Sequence, residues 1–219
     1  GANTGSITLA LADVPVDVTG TIVPGGAPLT VTTTISGQDA RISFSGLADQ
    51  RVSLQVGSNC CLAQLSILNP DGSPLAGPTS FGTGGGFIDS KTLPVTGDYT
   101  ILFDPQGAAT GSVTLTLYDV PPDAAATMIP GGPAVGVTTA VPGQNAKLTF
   151  AGTSGQRVSV KVNPGCCIAT YSFLDPDGNA VTPPVGFGTG GGFIDTMTLP
   201  ATGTYSIVVN AQGAVTGSV

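Results

Sequence analysis

The chain repeats itself at one fixed offset. The run FGTGGGFID stands at Phe81–Asp89 and again at Phe187–Asp195, 106 positions later. Gly37-Gln38 and Gly143-Gln144 share that offset, as do the pairs Cys60-Cys61 and Cys166-Cys167. Residues 1–106 align with 107–212 without a gap, and about half of the positions are identical. The opening residues come a third time: GANTGSI at 1–7, GAATGSV at 107–113 and GAVTGSV at 213–219. Whatever one copy folds into, the other must fold into as well. A unit of this length is too long for a solenoid repeat that folds only by stacking, and it is the size of an independent domain.

Within each copy the hydrophobic period is two. In 112–118 (SVTLTLY), Val113, Leu115 and Leu117 share one face while Thr114, Thr116 and Tyr118 share the other. Residues 41–45, 51–56 and 99–103 alternate in the same way. Such alternation sets one face in a core and the other in water. β-Branched residues dominate, and turn signals such as Pro24-Gly-Gly26, Asn69-Pro-Asp-Gly72 and Thr96-Gly97 separate the runs. The pattern predicts an all-β fold: tandem antiparallel β-sandwich units, jelly-roll-like, with about eight strands each near 16–23, 29–35, 39–46, 50–56, 62–68, 86–93, 98–104 and 111–120. A seven-stranded immunoglobulin-like topology is the alternative, without the Cys…Trp…Cys signature of that fold.

The phase of the repeat predicts three parts. Residues 1–15 read as the last strand of a preceding unit or as a donor strand, carried by Ser6, Ile7, Leu9 and Leu11. Residues 16–121 read as a complete unit, and 122–219 as a second unit lacking its final strand. A sandwich short of a strand exposes backbone donors and apolar side chains. Either the natural chain continues, or the N-terminal segment of another copy fills the gap by β-augmentation. Gly1 and the residues after it do not form a signal peptide, so the chain is expected to be a processed or excerpted piece. The junctions are expected at Asp13-Val14-Pro15 and Asp119-Val120-Pro121-Pro122, where proline restricts the backbone between beads.

Composition narrows the function. Charged residues are 9 % of the chain, against about 25 % in an ordinary domain. There is no His, no Trp and no Glu. Without histidine there is no His-based triad and no imidazole metal site. Six Lys and Arg against 13 Asp make no nucleic-acid-binding face, and no apolar run is long enough to insert in a membrane. The paired cysteines and a surface of Thr, Ser and Gly favour an extracellular or cell-surface setting.

The run Thr92-Leu-Pro-Val-Thr-Gly-Asp-Tyr-Thr-Ile, then Asp104-Pro-Gln-Gly, then 110–121 (TGSVTLTLYDVP), resembles secreted bacterial β-sandwich repeats. These are the pre-peptidase C-terminal-type domains and the tandem modules of large RHS-type surface proteins. Gly143-Gln-Asn-Ala, Gly155-Gln-Arg-Val-Ser and Pro176-Asp-Gly are similar to other recurring pieces, so the resemblance spans the whole unit, twice. It implies non-catalytic accessory or spacer modules.

Local candidates are few. The glycine-rich Phe81–Phe87 lacks the helix and the Lys of a phosphate loop, and reads as a tight turn demanding positive φ. Asn69-Pro-Asp-Gly72 and Asp175-Pro-Asp-Gly178 read as type I turns. Asp89 and Asp195 are weak calcium candidates; no other metal site and no cofactor is expected. Tyr99, Tyr118, Tyr171 and Tyr205 read as core or rim packing. For Cys60, Cys61, Cys166 and Cys167 three outcomes compete: vicinal disulfides, bonds between units, or free buried thiols. The chain is therefore expected to be no enzyme but a structural repeat of an extracellular fibre, stalk or surface array, its beads joined by chain continuity or strand complementation. Its partners would be further copies of the same protein. The alternative is an adhesin or carbohydrate-binding accessory module, with surface glycans as partners.

Overall fold

The computed structural model describes residues 5–58, 60–163 and 168–218. Nine strands make the first unit: β1 (Val18–Thr21), β2 (Leu29–Thr33), β3 (Ala40–Gly46), β4 (Arg51–Ser58), β5 (Ala63–Leu68), β6 (Pro74–Phe81), β7 (Gly86–Thr92), β8 (Gly97–Pro105) and β9 (Gly111–Asp119). They form two sheets, ordered β1-β3-β8-β5-β6 and β2-β9-β4-β7. With β1 set aside, the sheets have the strand order of a jelly roll, the chain changing sheet at every step except from β5 to β6.

Alternation builds the core between these sheets. Along β8, Tyr99, Ile101 and Phe103 are buried, and along β9 so are Val113, Leu115 and Leu117. Phe44 stacks on Tyr99 with ring centroids 5.3 Å apart. The Tyr99 hydroxyl donates to the Val95 carbonyl at 2.6 Å, which satisfies the one polar atom on that buried ring.

The second unit follows with β10 (Ala124–Thr127), β11 (Thr138–Thr139), β12 (Ala146–Gly152), β13 (Arg157–Val162), β14 (Ala169–Leu174), β15 (Val185–Phe187), β16 (Gly192–Thr198), β17 (Gly203–Ala211) and β18 (Gly217–Ser218). The five-stranded sheet recurs as β10-β12-β17-β14-β15. Strands β10, β12, β13, β14, β16, β17 and β18 each begin 106 residues after their counterparts. Each unit has its own hydrophobic cluster, one from Ile22 to Leu117 and the other from Val137 to Val209.

The all-β sandwich is as expected, and two details add to it. The first unit has nine strands where about eight were expected; the additional one is β6, which carries Pro74, Pro78 and a cis Gly77–Pro78 bond. It is an edge strand paired only with β5, the position where a sheet tolerates proline. The sandwich is also not wholly antiparallel, because β1 runs parallel to β3, and β10 to β12. Between β1 and β3 the chain crosses to the other sheet as β2 and comes back, so β3 re-enters in the direction of β1.

Candidate functional site

The two units differ in one layer. In the first, β9 is a central strand, paired with β2 on one side and β4 on the other. In the second, the described part of the counterpart of β9 is β18, Gly217–Ser218, which among the described residues pairs with β11. The four-stranded sheet is therefore split into β11-β18 and β13-β16. Beside β13, against residues 128–136, lie two openings of about 420 and 250 Å³, which share Met128, Ala134, Val160, Lys161 and Ile207 in their walls.

Counterpart residues record what the split does. Val52 and Leu54 on β4 are fully buried, whereas Val158 and Val160 on β13 are only partly buried. Ile22 is buried and Met128 is only partly so. In the first unit the Gly25 amide donates to the Leu117 carbonyl of β9 at 2.8 Å. Its counterpart Gly131 sits on the wall of the larger opening.

Residues 5–16 are exposed and belong to no strand. Ile7, Leu9 and Leu11 are 87 %, 89 % and 103 % exposed. They are the sequence counterparts of Val113, Leu115 and Leu117, which β9 buries completely. Ser6 is exposed as well, where its counterpart Ser112 bonds to Thr32 Oγ1 at 2.7 Å. Of the expected N-terminal junction, Asp13 and Pro15 are exposed, and Val14 (45 % exposed) lies against Gly37.

The junction between the units is built from specific contacts. The Val120 amide donates to the Arg51 carbonyl at 2.8 Å, and Val120 is buried. Arg51 Nη1 pairs with Asp123 at 2.6 Å and donates to the Pro121 carbonyl at 3.4 Å. Asp119 accepts from Gln50 Nε2 at 2.9 Å, and the Pro122 carbonyl accepts from Gln144 Nε2 at 2.7 Å. Ser53 Oγ donates to the Pro142 carbonyl at 2.7 Å. Beside it Gly143 has φ +84°, and a Cβ there would stand 2.8 Å from that of Ser53, so this approach demands glycine. Asp89 Oδ2 accepts from Asn210 Nδ2 at 3.1 Å. The first of the two calcium candidates is thus a junction residue. Asp195 accepts from the Thr196 amide at 2.6 Å, and among the described residues no three acidic or thiol groups converge.

The remaining candidates fall into structural roles. Cys60 and Cys61 form a vicinal disulfide; Cys166 and Cys167 lie outside the described residues. The glycine-rich runs are tight turns, closed by Gly85 N to Gly82 O and Gly191 N to Gly188 O, each at 3.0 Å, with positive φ at Gly85 and Gly191. The two Asx-Pro-Asp-Gly segments are turns as well, with Gly72 N bonded to Asn69 O and Gly178 N to Asp175 O. In the first turn, bonds from Ser73 hold the Asp71 carboxyl below its ordinary range. Tyr205 bonds to the Ala201 carbonyl as Tyr99 does to Val95, and Tyr118 donates to Gln55 Oε1. Tyr171 is buried, which pushes its hydroxyl up, and that hydroxyl has no hydrogen-bond partner among the described residues.

Comparison with known proteins adds little. No family model matches the chain. No curated protein matches it either. Among solved structures it is similar to PliG of Aeromonas hydrophila, a periplasmic inhibitor of g-type lysozyme, at 14 % identity and TM-score 0.29 over 46 % of this chain and 98 % of that one. The CUB1-EGF-CUB2 domains of rat MASP-1 align at 10 % identity and TM-score 0.25, over 90 % of this chain and 99 % of that one. A Paenibacillus xanthan lyase aligns at 12 % and 0.26, over 88 % of this chain and 24 % of that one. Likenesses this distant carry no functional argument.

Proposed function

We propose that this chain is a structural segment of an extracellular fibre, stalk or surface array, in which β-sandwich beads follow one another end to end. The observation that carries this reading is the junction. It uses Arg51, Ser53 and Asp89 from one bead and Asp123, Pro142, Gly143 and Asn210 from the next. At the far face of the second bead the same positions hold Arg157, Ser159 and Asp195; at the near face of the first they hold Asp17, Ser36, Gly37 and Asp104. Each molecule thus offers both halves of a similar contact, which is the heterologous, head-to-tail interface that generates open filaments.

The rest of the chain is consistent with passive work. Buried rings and β-branched residues fill both cores, the glycine-rich runs are turns, and charges are sparse. A disulfide and few Lys or Arg suit an oxidising, protease-exposed exterior. Electron microscopy of the native material tests the reading. Filaments or arrays with an axial repeat of one or two beads support it; isolated particles refute it.

A further inference from the structure

We infer that the junction between the two units is a two-state hinge, in which Asp123 trades the Arg51 guanidinium of the first unit for Lys147 of its own. This rests on the bead reading above for its use, a string that lengthens in steps. The hinge itself is a property of one molecule.

The first unit shows the second state. Its Asp17 pairs with Arg41 Nε at 2.8 Å, on the neighbouring strand of the same unit. Arg41 lies opposite Thr19 in the parallel β1–β3 ladder, and Lys147 lies opposite Ala125 in the β10–β12 ladder. The two registers are the same through the 106-residue offset, so Lys147 stands to Asp123 as Arg41 stands to Asp17. Yet Asp123 is bound at 2.6 Å to Arg51. Lys147 is exposed and makes no ion pair among the described residues. One carboxylate is thus flanked by two cations, one from each unit, and holds only one of them.

Neighbouring bonds fix where the chain turns. The Val120 amide donates to the Arg51 carbonyl at 2.8 Å and Val120 is buried, which anchors it to the first unit. The Pro122 carbonyl accepts from Gln144 Nε2 at 2.7 Å. In the first unit the Val16 carbonyl accepts from Gln38 Nε2 at 3.0 Å while Asp17 holds Arg41. That bond therefore ties Pro122 to the second unit in either state. Only Pro121 is left between the anchors. Its own ring fixes φ and the ring of Pro122 restricts its ψ, so it admits a few discrete settings rather than free rotation.

The two states lie close in free energy. The Arg51–Asp123 pair is partly exposed, 23 % and 30 % for the two side chains, and such pairs contribute little by themselves. Exchange replaces one ion pair by another, and Asp123 keeps a cation throughout. Arg51 retains its bond to Ser90 Oγ at 3.2 Å, within its own unit. The other bonds across the junction, from Ser53 to the Pro142 carbonyl and from Asn210 to Asp89, part as the units separate.

The test measures the distance between the units in the chain of residues 1–219. Spin labels are attached through unnatural side chains at Thr83 and Thr189, exposed residues of the two glycine-rich turns. Pulsed electron–electron resonance reads the distance distribution, and two components are expected. Lys147→Gln should shift the populations towards the docked component, and Arg51→Gln towards the other, by up to about fivefold each. Lys147 makes no ion pair in the docked state, so a rigid junction predicts no response to its loss. With both substitutions together nothing holds Asp123, and the undocked component should spread into a broad distribution. A single distance in the parent and in Arg51→Gln alike, or an undocked component that keeps its share and its width without Lys147, overturns the inference. Filaments of native material would in that case still support the bead reading. Isolated particles would refute that reading and leave the hinge standing.

Discussion

Val52 and Val158 are the same residue at the same place in two copies of one fold, yet only Val52 is roofed by a central strand. Val52 is fully buried and pairs with Asp119 of β9; Val158 is only partly buried. Truncating a buried valine to alanine removes two methyl groups, each worth about 0.8 kcal/mol of transfer, and leaves a cavity that adds to the loss. Val52→Ala should therefore destabilise the first unit by about 2 to 3 kcal/mol. For a unit of this size that lowers its midpoint by on the order of 10 °C. Val158→Ala has less burial to lose and lies beside an opening, so its cost should be smaller, about 1 to 2 kcal/mol. Differential scanning calorimetry of the two variants beside the parent reads both values. Equal losses in the two variants would refute the claim that the wall beside Val158 is the more open of the two.

Other consequences follow from single residues. Asp39 has its carboxyl pKa raised, first by burial and then by Asp104 and Asp17, so its folded form prefers the proton. Its contribution is fully present below the unfolded carboxylate range and is lost as pH rises through the folded value. Asp39→Asn, the residue at Asn145 of the second unit, should thus raise the melting temperature at neutral pH and change nothing near pH 3, as read by thermal melts at the two pH values. Gly46→Ala would drive a methyl group onto Leu93 and against Tyr99, both fully buried, and should cost about 1 to 3 kcal/mol in denaturant titrations. Arg51→Ala removes a partly exposed ion pair worth about 1 kcal/mol or less. It should leave both units folded while broadening the distribution of bead-to-bead distances in small-angle scattering.

Most of the sandwich was legible because its strands alternate. Tyr99-Thr-Ile-Leu-Phe103 and 112–118 announce which side chains enter the core, and each of those side chains does so. The turns were legible for the same local reason: glycines that need positive φ, and an Asx-Pro-Asp-Gly sequence that closes on itself. What escaped depends on position rather than on local sequence. β6 is rich in proline and glycine, and its place at a sheet edge, which makes proline harmless, is a property of the neighbours. The parallel pairing of β1 depends on the path of β2 through the other sheet. Junction prolines could be recognised, but the side chain that ties the beads, Arg51, lies 72 residues from its partner Asp123. Asp89 is a weak calcium candidate by its place beside a glycine loop, and its bond to Asn210, 121 residues away, has no local signal.

The junction also explains a difference between copies that the repeat alone leaves unread. Asp39 and Asp104 of the first unit are Asn145 and Asn210 in the second. At the internal junction Asn210 meets Asp89, a neutral donor on a carboxylate. The corresponding contact between two molecules would set Asp104 against Asp195. Two carboxylates at hydrogen-bond distance repel unless one is protonated or screened. The internal junction is thereby the more favourable of the two at neutral pH, and an intermolecular one should strengthen as pH falls or salt rises. Light scattering of the 219-residue chain against pH and ionic strength reads this directly: association that weakens on acidification would show that the repeat offset does not carry the internal contact across to a second molecule.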